Sequence, residues 1–342
     1  MTDPARRPVM ADVADLAGVS IMTVSRVLNG HPHVTAATRE RVEHAVVELG
    51  YHANMAARTL AGGRSHVIGA ISVQPETWGP SRTVFAIEAA AQAAGQLVSF
   101  KTAHEPSASA MREAIDELRG GNAEGIIVVA RLRAAVEALR ELDLPIPLLA
   151  TYPTAELPLS VGVDQELGAR LATRHLLSLG HERVIHVRGP KGWIDADDRA
   201  SGWRKELRSN GVTGRTINGD WTPRSGYEAG REIAGDDSAT AVFVANDQMA
   251  LGVQLALHEA GRNVPDDVSV VGFDDVPEAG FYIPPLTTVR QDFGELGRMS
   301  VEHLLAAIEG RDVQRATIAP QLVERASTGP PARQGRAPVR AG

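Results

Sequence analysis

The chain has 342 residues, 43% of them hydrophobic and 23% charged, with 35 basic against 42 acidic side chains and a net charge of −7. This composition suits a globular chain of two or three domains, and its acidic balance speaks against a general nucleic-acid coat. Cysteine is absent, which excludes disulfides, thiolate catalysis and cysteine-ligated zinc; no apolar run approaches the length of a membrane span; and MTDPARRPVM lacks the apolar core of a secretory signal, so a cytoplasmic chain is expected.

Residues 1–9 read as a loose basic arm. A first short helix is predicted over 11–17, with Val13 and Leu16 on one apolar face and Gly18 as its left-handed stop. Ser20 stands at an N-cap position, and a second helix over 21–28 turns Val24, Val27 and Leu28 inward. Thr35 caps a third helix that buries Val42, Val46 and Leu49 and stops at Gly50. A link of about three residues with a glycine between the first two helices is a helix-turn-helix signal. The polar face of the second helix suits DNA. Ser20, Thr23, Ser25 and Asn29 offer short hydroxyl and amide groups for phosphates, and Arg26 has the forked donors that match a guanine edge. Ile21 and Met22 lie at the helix start, which enters the major groove first. The plainer alternative is a three-helix bundle for protein contacts, but turn, caps and polar face agree on DNA. Charge is divided accordingly: residues 1–66 carry net +1 and the remainder −8.

ADVADLAGVSIMTVSRVLNG followed by VTAATRERVEHAVVELGY resembles the LacI/GalR family of transcriptional regulators. The resemblance implies base reading by Ile21, Met22 and Arg26, and a hinge helix within 52–66 carrying Asn54, Ala57 and Leu60, with Leu60 as a minor-groove wedge. Ala53 stands where the family usually has proline, so hinge ordering is expected to cost more here.

From Val67 the pattern becomes strand–helix alternation. VIGAISV, QLVSFKT, GIIVVA, LPIPLLATY and SVGV read as strands, with helices over 84–94, 108–118 and 132–142. A second block follows, with a helix capped by Asp164, strands RVIHV, ATAVFVAN and VSVVGFDD, helices over 199–210, 226–234 and 248–260, and a last helix over 295–309. Two such blocks predict two doubly wound parallel sheets with a ligand crevice at the strand ends. The domains expected are a helix-turn-helix head (1–51), a hinge (52–66), a two-lobed periplasmic-binding-protein-like core for effector and dimerisation (67–328), and a disordered tail (329–342). That tail has no leucine heptad, so a homodimer is expected rather than a tetramer.

No GxGxxG, Walker A or GxSxG motif and no histidine pair at metal-ligand spacing occurs, so neither an enzyme nor a cofactor or metal is expected. The paired acids, such as Asp197–Asp198 and Asp274–Asp275, point to opposite faces if on strands and read as loop or cap residues. A loop tryptophan, Trp221, either fills a gap or stacks on a ligand such as a sugar. By their strand-end positions Asn246 and Asp274 point at the crevice, while Asp247 reads as a plain N-cap. The family resemblance, which spans roughly 9–328, places Arg199, Trp221, Asn246, Asp274 and Phe293 on effector contacts. Its first-lobe polar contacts align near Val129 and Tyr152, which departs from the family pattern. The expected protein is thus a DNA-binding repressor of sugar-utilisation genes, released from a palindromic operator by a neutral sugar, with a β-galactoside first. The alternatives are a transport-type sugar binder, or a regulator using a corepressor or phosphorylated effector.

Overall fold

The computed structural model describes residues 8–28, 31, 33–51, 64–73, 76–103, 105–140, 142, 144–154 and 157–331. The chain divides into two compact units, Met1–Ser65 and His66–Gly342. The hinge residues Asn54, Ala57 and Leu60, together with Asn29, lie outside the described residues.

The head comprises α1 (Met10–Ala17), α2 (Ile21–Leu28) and α3 (Ala36–Leu49). Their stops and caps follow local chemistry. Gly18 and Gly50 adopt left-handed φ of 64° and 56°, and the Thr35 side chain accepts from the Thr38 amide. Ser20 Oγ accepts from the Thr23 amide at 3.2 Å, fixing the first turn of α2. Val13, Ala14, Ala17, Val24, Val27, Val42, Ala45 and Tyr51 form the core of this unit. One expectation fails: Leu16 is exposed, because the buried stripe of α1 runs through Val13, Ala14 and Ala17 instead.

The second unit holds two four-stranded parallel sheets. In the first lobe, β1 (Val67–Val73), β2 (Leu97–Ala103), β3 (Ile126–Val129) and β4 (Leu148–Ala150) lie in the order β2-β1-β3-β4. Between them run α4 (Trp78–Ala93), α5 (Ala108–Gly120) and α6 (Arg133–Arg140). The short strand β5 (Val161–Val163) then leads to α7 (Gln165–Ser178). In the second lobe β6 (Ile185–Arg188), β7 (Thr216–Asn218), β8 (Ala241–Val244) and β9 (Ser269–Val271) repeat that order as β7-β6-β8-β9. Its further helices are α8 (Ile194–Ser209), α9 (Pro223–Ala234) and α10 (Asp247–Glu259). Strands β3 and β8 are buried throughout, as parallel strands covered on both faces must be.

The blocks are consecutive in sequence but the lobes are not. After β10 (Thr288–Arg290) the last helix, α11 (Phe293–Ile308), packs into the first-lobe core beside Ile87, Ile127 and Val161. Gly297 lets it lie against α4, since a Cβ there would collide with the Ala86 backbone. Strand β11 (Ala316–Ile318) pairs with β5, and β12 (Gln321–Val323) returns to pair with β10. Three segments therefore join the lobes, at 163–165, 290–293 and 318–321.

Helix starts differ from expectation where polar residues obscure the pattern: α4 begins at Trp78 rather than 84, and α8 at Ile194, so Arg199 sits in its second turn rather than opening it. The ordered chain also continues past 328. Gly329 bonds through its amide to Ser269 Oγ at 3.0 Å and through its carbonyl to His181 Nε2 at 3.0 Å.

Candidate functional sites

On the head, α2 presents two faces. Val24 and Val27 are buried, whereas Ile21, Met22 and Arg26 are exposed side by side at one end and along one flank. Ile21 and Met22 are 52% and 65% exposed, two adjacent large apolar side chains at the start of α2. Ser20 and Thr23 share a hydrogen bond between hydroxyls at 2.9 Å, so both stand at the helix N-terminus. That end carries amide and hydroxyl groups of the kind that bind phosphate, and Arg26 carries a forked donor of the kind that matches a base edge.

In the second unit a cavity of about 390 Å³ opens at the strand ends. The first lobe contributes residues 76–81 to it, the loop and first turn of α4, including Glu76, Trp78 and Ser81. The second lobe contributes Trp193, Asp195, Arg199, Asp220, Trp221, Asn246, Gln248 and Asp274. Four of the five expected effector residues therefore meet here. Phe293 does not line the cavity; it is half-buried against the first-lobe core at the start of α11. Val129 and Tyr152 are also buried in that lobe's core and do not line the cavity.

Arg199 is the hub. Its Nε donates to Gln165 Oε1 at 2.9 Å, its Nη2 to Asp274 Oδ1 at 3.3 Å, and its Nη1 to the Ala245 carbonyl. Its guanidinium lies 3.8 Å from the Phe273 ring centroid and 5.5 Å from that of Trp221. Gln165 Nε2 donates to Gln291 Oε1 at 2.7 Å, and Gln291 Nε2 to Asp274 Oδ1 at 2.6 Å, closing a buried ring of four side chains. Gln165 and Gln291 each follow a strand at two of the three lobe connections, so the ring touches the joints between lobes. Burial pushes the Asp274 carboxyl up to about 6, only partly opposed by Arg199 and Gln291.

Asn246, not Asp247, is the N-cap of α10. Its Oδ1 accepts from the Met249 amide at 3.0 Å, while its Nδ2 donates to the Trp221 carbonyl at 3.0 Å. Asp247 lies beneath it, fully buried, accepting from the Val276 amide at 2.9 Å and from Thr288 Oγ1 at 2.5 Å. Burial and the nearby Asp274 hold its carboxyl well above the usual range. The sequence misplaces the cap because either residue of the Asn–Asp pair can perform it.

Trp221 both fills a gap and lines the site. Its ring leaves no room for a Cβ at Gly189 and meets Trp193 edge-on, with centroids 5.6 Å apart. Trp221 and Asp274 have left-handed φ of 75° and 107°, a strain of about 1–3 kcal/mol each that clusters at functional sites. The indole N–H groups of Trp78 and Trp221, and Gln248 Oε1, are buried without hydrogen-bond partners among the described residues. Trp78, Trp193, Asp195, Gln165 and Gln291 were not singled out by the sequence. A usable signal existed: three of the chain's four tryptophans line this one cavity.

A helix-turn-helix unit followed by a two-lobed binding core defines a ligand-responsive DNA-binding regulator. Residues 9–54 match the family described as bacterial regulatory proteins, lacI family, and residues 173–328 match the periplasmic binding protein-like domain. The lactose operon repressor of Escherichia coli (strain K12) is 38% identical over 341 residues, covering 97% of this chain and 94% of that protein. The crystal structure of the lac repressor dimer bound to operator and the anti-inducer ONPF superposes with a TM-score of 0.85 at 36% identity, covering 95% of this chain and all of that one. The CelR–cellobiose complex gives a TM-score of 0.68 at 29% identity, covering 94% and 100%. The chain belongs to the LacI family of transcriptional repressors, and its relatives are regulators rather than enzymes.

Proposed function

We propose that this repressor controls sugar-utilisation genes and leaves a palindromic operator when a neutral sugar occupies the cavity between its lobes. The observation that carries the reading is the cavity's chemistry: indole rings of Trp78, Trp193 and Trp221 beside the carboxylates of Glu76, Asp195, Asp220 and Asp274. Sugars offer an apolar face to a ring and hydroxyls to carboxylates. Arg199, the cation of this lining, is already engaged by Asp274, Gln165 and a carbonyl. Among the described residues a phosphorylated effector would meet four carboxylates and no uncommitted cation, which disfavours it.

A β-galactoside is the first candidate, on the likeness to the lactose operon repressor, and cellobiose the second, on the likeness to CelR. The sugar must bind one lobe arrangement better than the other, since only differential affinity shifts an equilibrium. Calorimetric titration with lactose, methyl β-galactoside and cellobiose, followed by release of an operator fragment, tests the reading. Release by a sugar phosphate alone overturns it.

Two apolar surfaces support a homodimer. Phe281 and Ile283 are 86% and 93% exposed, and the Pro284 carbonyl next to them accepts from Gln254 of α10, the helix on which Leu251 and Leu255 are exposed. In the first lobe, Phe85, Leu97 and Phe100 are exposed on α4 and the edge strand β2. Covering such apolar side chains favours association of subunits. A tetramer by light scattering at micromolar concentration would contradict the dimer. The hinge residues Asn54, Ala57 and Leu60 complete the operator contacts in this proposal.

A further inference from the structure

Outside the Arg199 ring, the lobes meet through a second set of buried contacts. Arg131 follows β3 of the first lobe and is 2% exposed, the largest fully buried side chain described. Its Nη1 donates to Asp195 Oδ1 at 3.1 Å, and Asp195 lies in the first turn of α8, in the second lobe. Backbone pairing accompanies the ion pair. The Ile194 amide donates to the Arg131 carbonyl at 2.8 Å, the Arg133 amide to the Gly192 carbonyl at 3.0 Å, and Leu132 bridges Trp193. A short strap of the first lobe is thus stitched to the loop that carries Trp193 and Asp195, both of which line the cavity.

A buried arginine costs several kcal/mol of desolvation, and breaking such a pair by removing one partner is strongly destabilising. Asp195 is Arg131's ion-pair partner among the described residues, so the cation is tied to the opposite lobe. Asp195 Oδ2 takes no hydrogen bond among the described residues, and its residue faces the cavity. One carboxylate therefore holds the lobes together with one oxygen and offers the other to whatever fills the cavity.

We propose that Arg131 and Asp195 form a latch between the lobes at the wall of the effector cavity, with Arg131 positioning Asp195 to accept a ligand hydroxyl. The ligand half of this statement rests on the sugar reading above; the latch does not. It gives the effector a direct grip on lobe arrangement, separate from the Arg199 ring. It also supplies through Asp195 an indirect first-lobe contribution that the buried Val129 and Tyr152 do not make.

The test is hydrogen exchange on the full chain without ligand, followed over 131–135 and 192–196, with β8 as internal control. Arg131→Met should speed exchange at the strap by about tenfold or more and leave β8 protected, because local opening precedes global unfolding. Unchanged strap exchange overturns the latch. If β8 also loses protection, the double variant Arg131→Met/Asp195→Leu decides, since it leaves no lone buried charge. A fast strap over a protected β8 then supports the latch, and equal protection of both overturns it. In parallel, lactose and cellobiose are titrated into wild type and Asp195→Asn. Binding weakened by about tenfold or more supports the hydroxyl role, and equal affinity overturns it. Binding of neither sugar by wild type removes the sugar reading and the ligand half with it, while the exchange result still decides the latch.

Discussion

The proposed recognition helix and the proposed effector cavity treat polarity in opposite ways. On α2 the side chains proposed to read DNA stand in solvent: Ile21, Met22 and Arg26 are exposed, and the helix is held by Val24 and Val27 on its other face. In the cavity the proposed effector contacts are structural as well. Arg199 and Asp274 are 4% and 6% exposed, bonded to each other and to the glutamines at the lobe connections. A reader of a large, hydrated polyanion can be built on a finished fold. A binder of a small ligand must bury its polar groups, and those groups then become part of what holds the lobes. Function and stability should therefore separate in the head and remain coupled in the core.

The largest expected effect tests that coupling. Arg199→Ala leaves Asp274 buried without its cation and should cost about 3–5 kcal/mol of stability along with effector binding; denaturant unfolding measures the first and calorimetry the second. A variant as stable as wild type would break the comparison. Next, Arg26→Ala should lose about 1–3 kcal/mol on the specific operator and far less on random DNA, with the melting temperature unchanged. Equal losses on both DNAs in a binding titration would reduce Arg26 to a phosphate contact.

The third expectation is a pH dependence confined to the core. Burial pushes the Asp274 carboxyl up to about 6, and in the proposed function it is the ionised form that accepts a ligand hydroxyl. Below that pH the proton must first be removed, so effector affinity should fall by up to about tenfold per pH unit and stay level from 7 to 8. Asp274→Asn should flatten the profile; a sloping profile in that variant would assign the dependence elsewhere. The smallest effect belongs to the head: Met22→Ser, at an exposed position, should change stability by less than about 0.5 kcal/mol while altering operator preference. A clear loss of melting temperature would mean that the exposed face of α2 also carries structural weight.

The sequence by itself determined whatever depends on short-range patterns. Gly18, Gly50 and Thr35 end and begin helices by local backbone chemistry, and the period of Val24 and Val27 orients α2, so its exposed face is legible from a few turns of helix. The strand–helix alternation likewise announced two parallel sheets, because strands covered on both faces must be apolar throughout. Asn246 and Asp274 were placed at the crevice by their strand ends and, with Arg199 and Trp221, by the family pattern, and all four converge on one cavity.

Tertiary structure alone decided what depends on distant segments meeting. It moved α11 into the first lobe, which no local pattern can signal because the helix is equally apolar whichever sheet it covers. It withdrew Phe293 from the cavity and gave the α10 cap to Asn246, where two adjacent residues compete for one amide. It brought Gln165 to Gln291 across 126 positions and Arg131 to Asp195 across 64. A buried hydrogen bond or ion pair leaves no periodicity in sequence. It is recognised only when the fold has removed the water that would otherwise satisfy each partner.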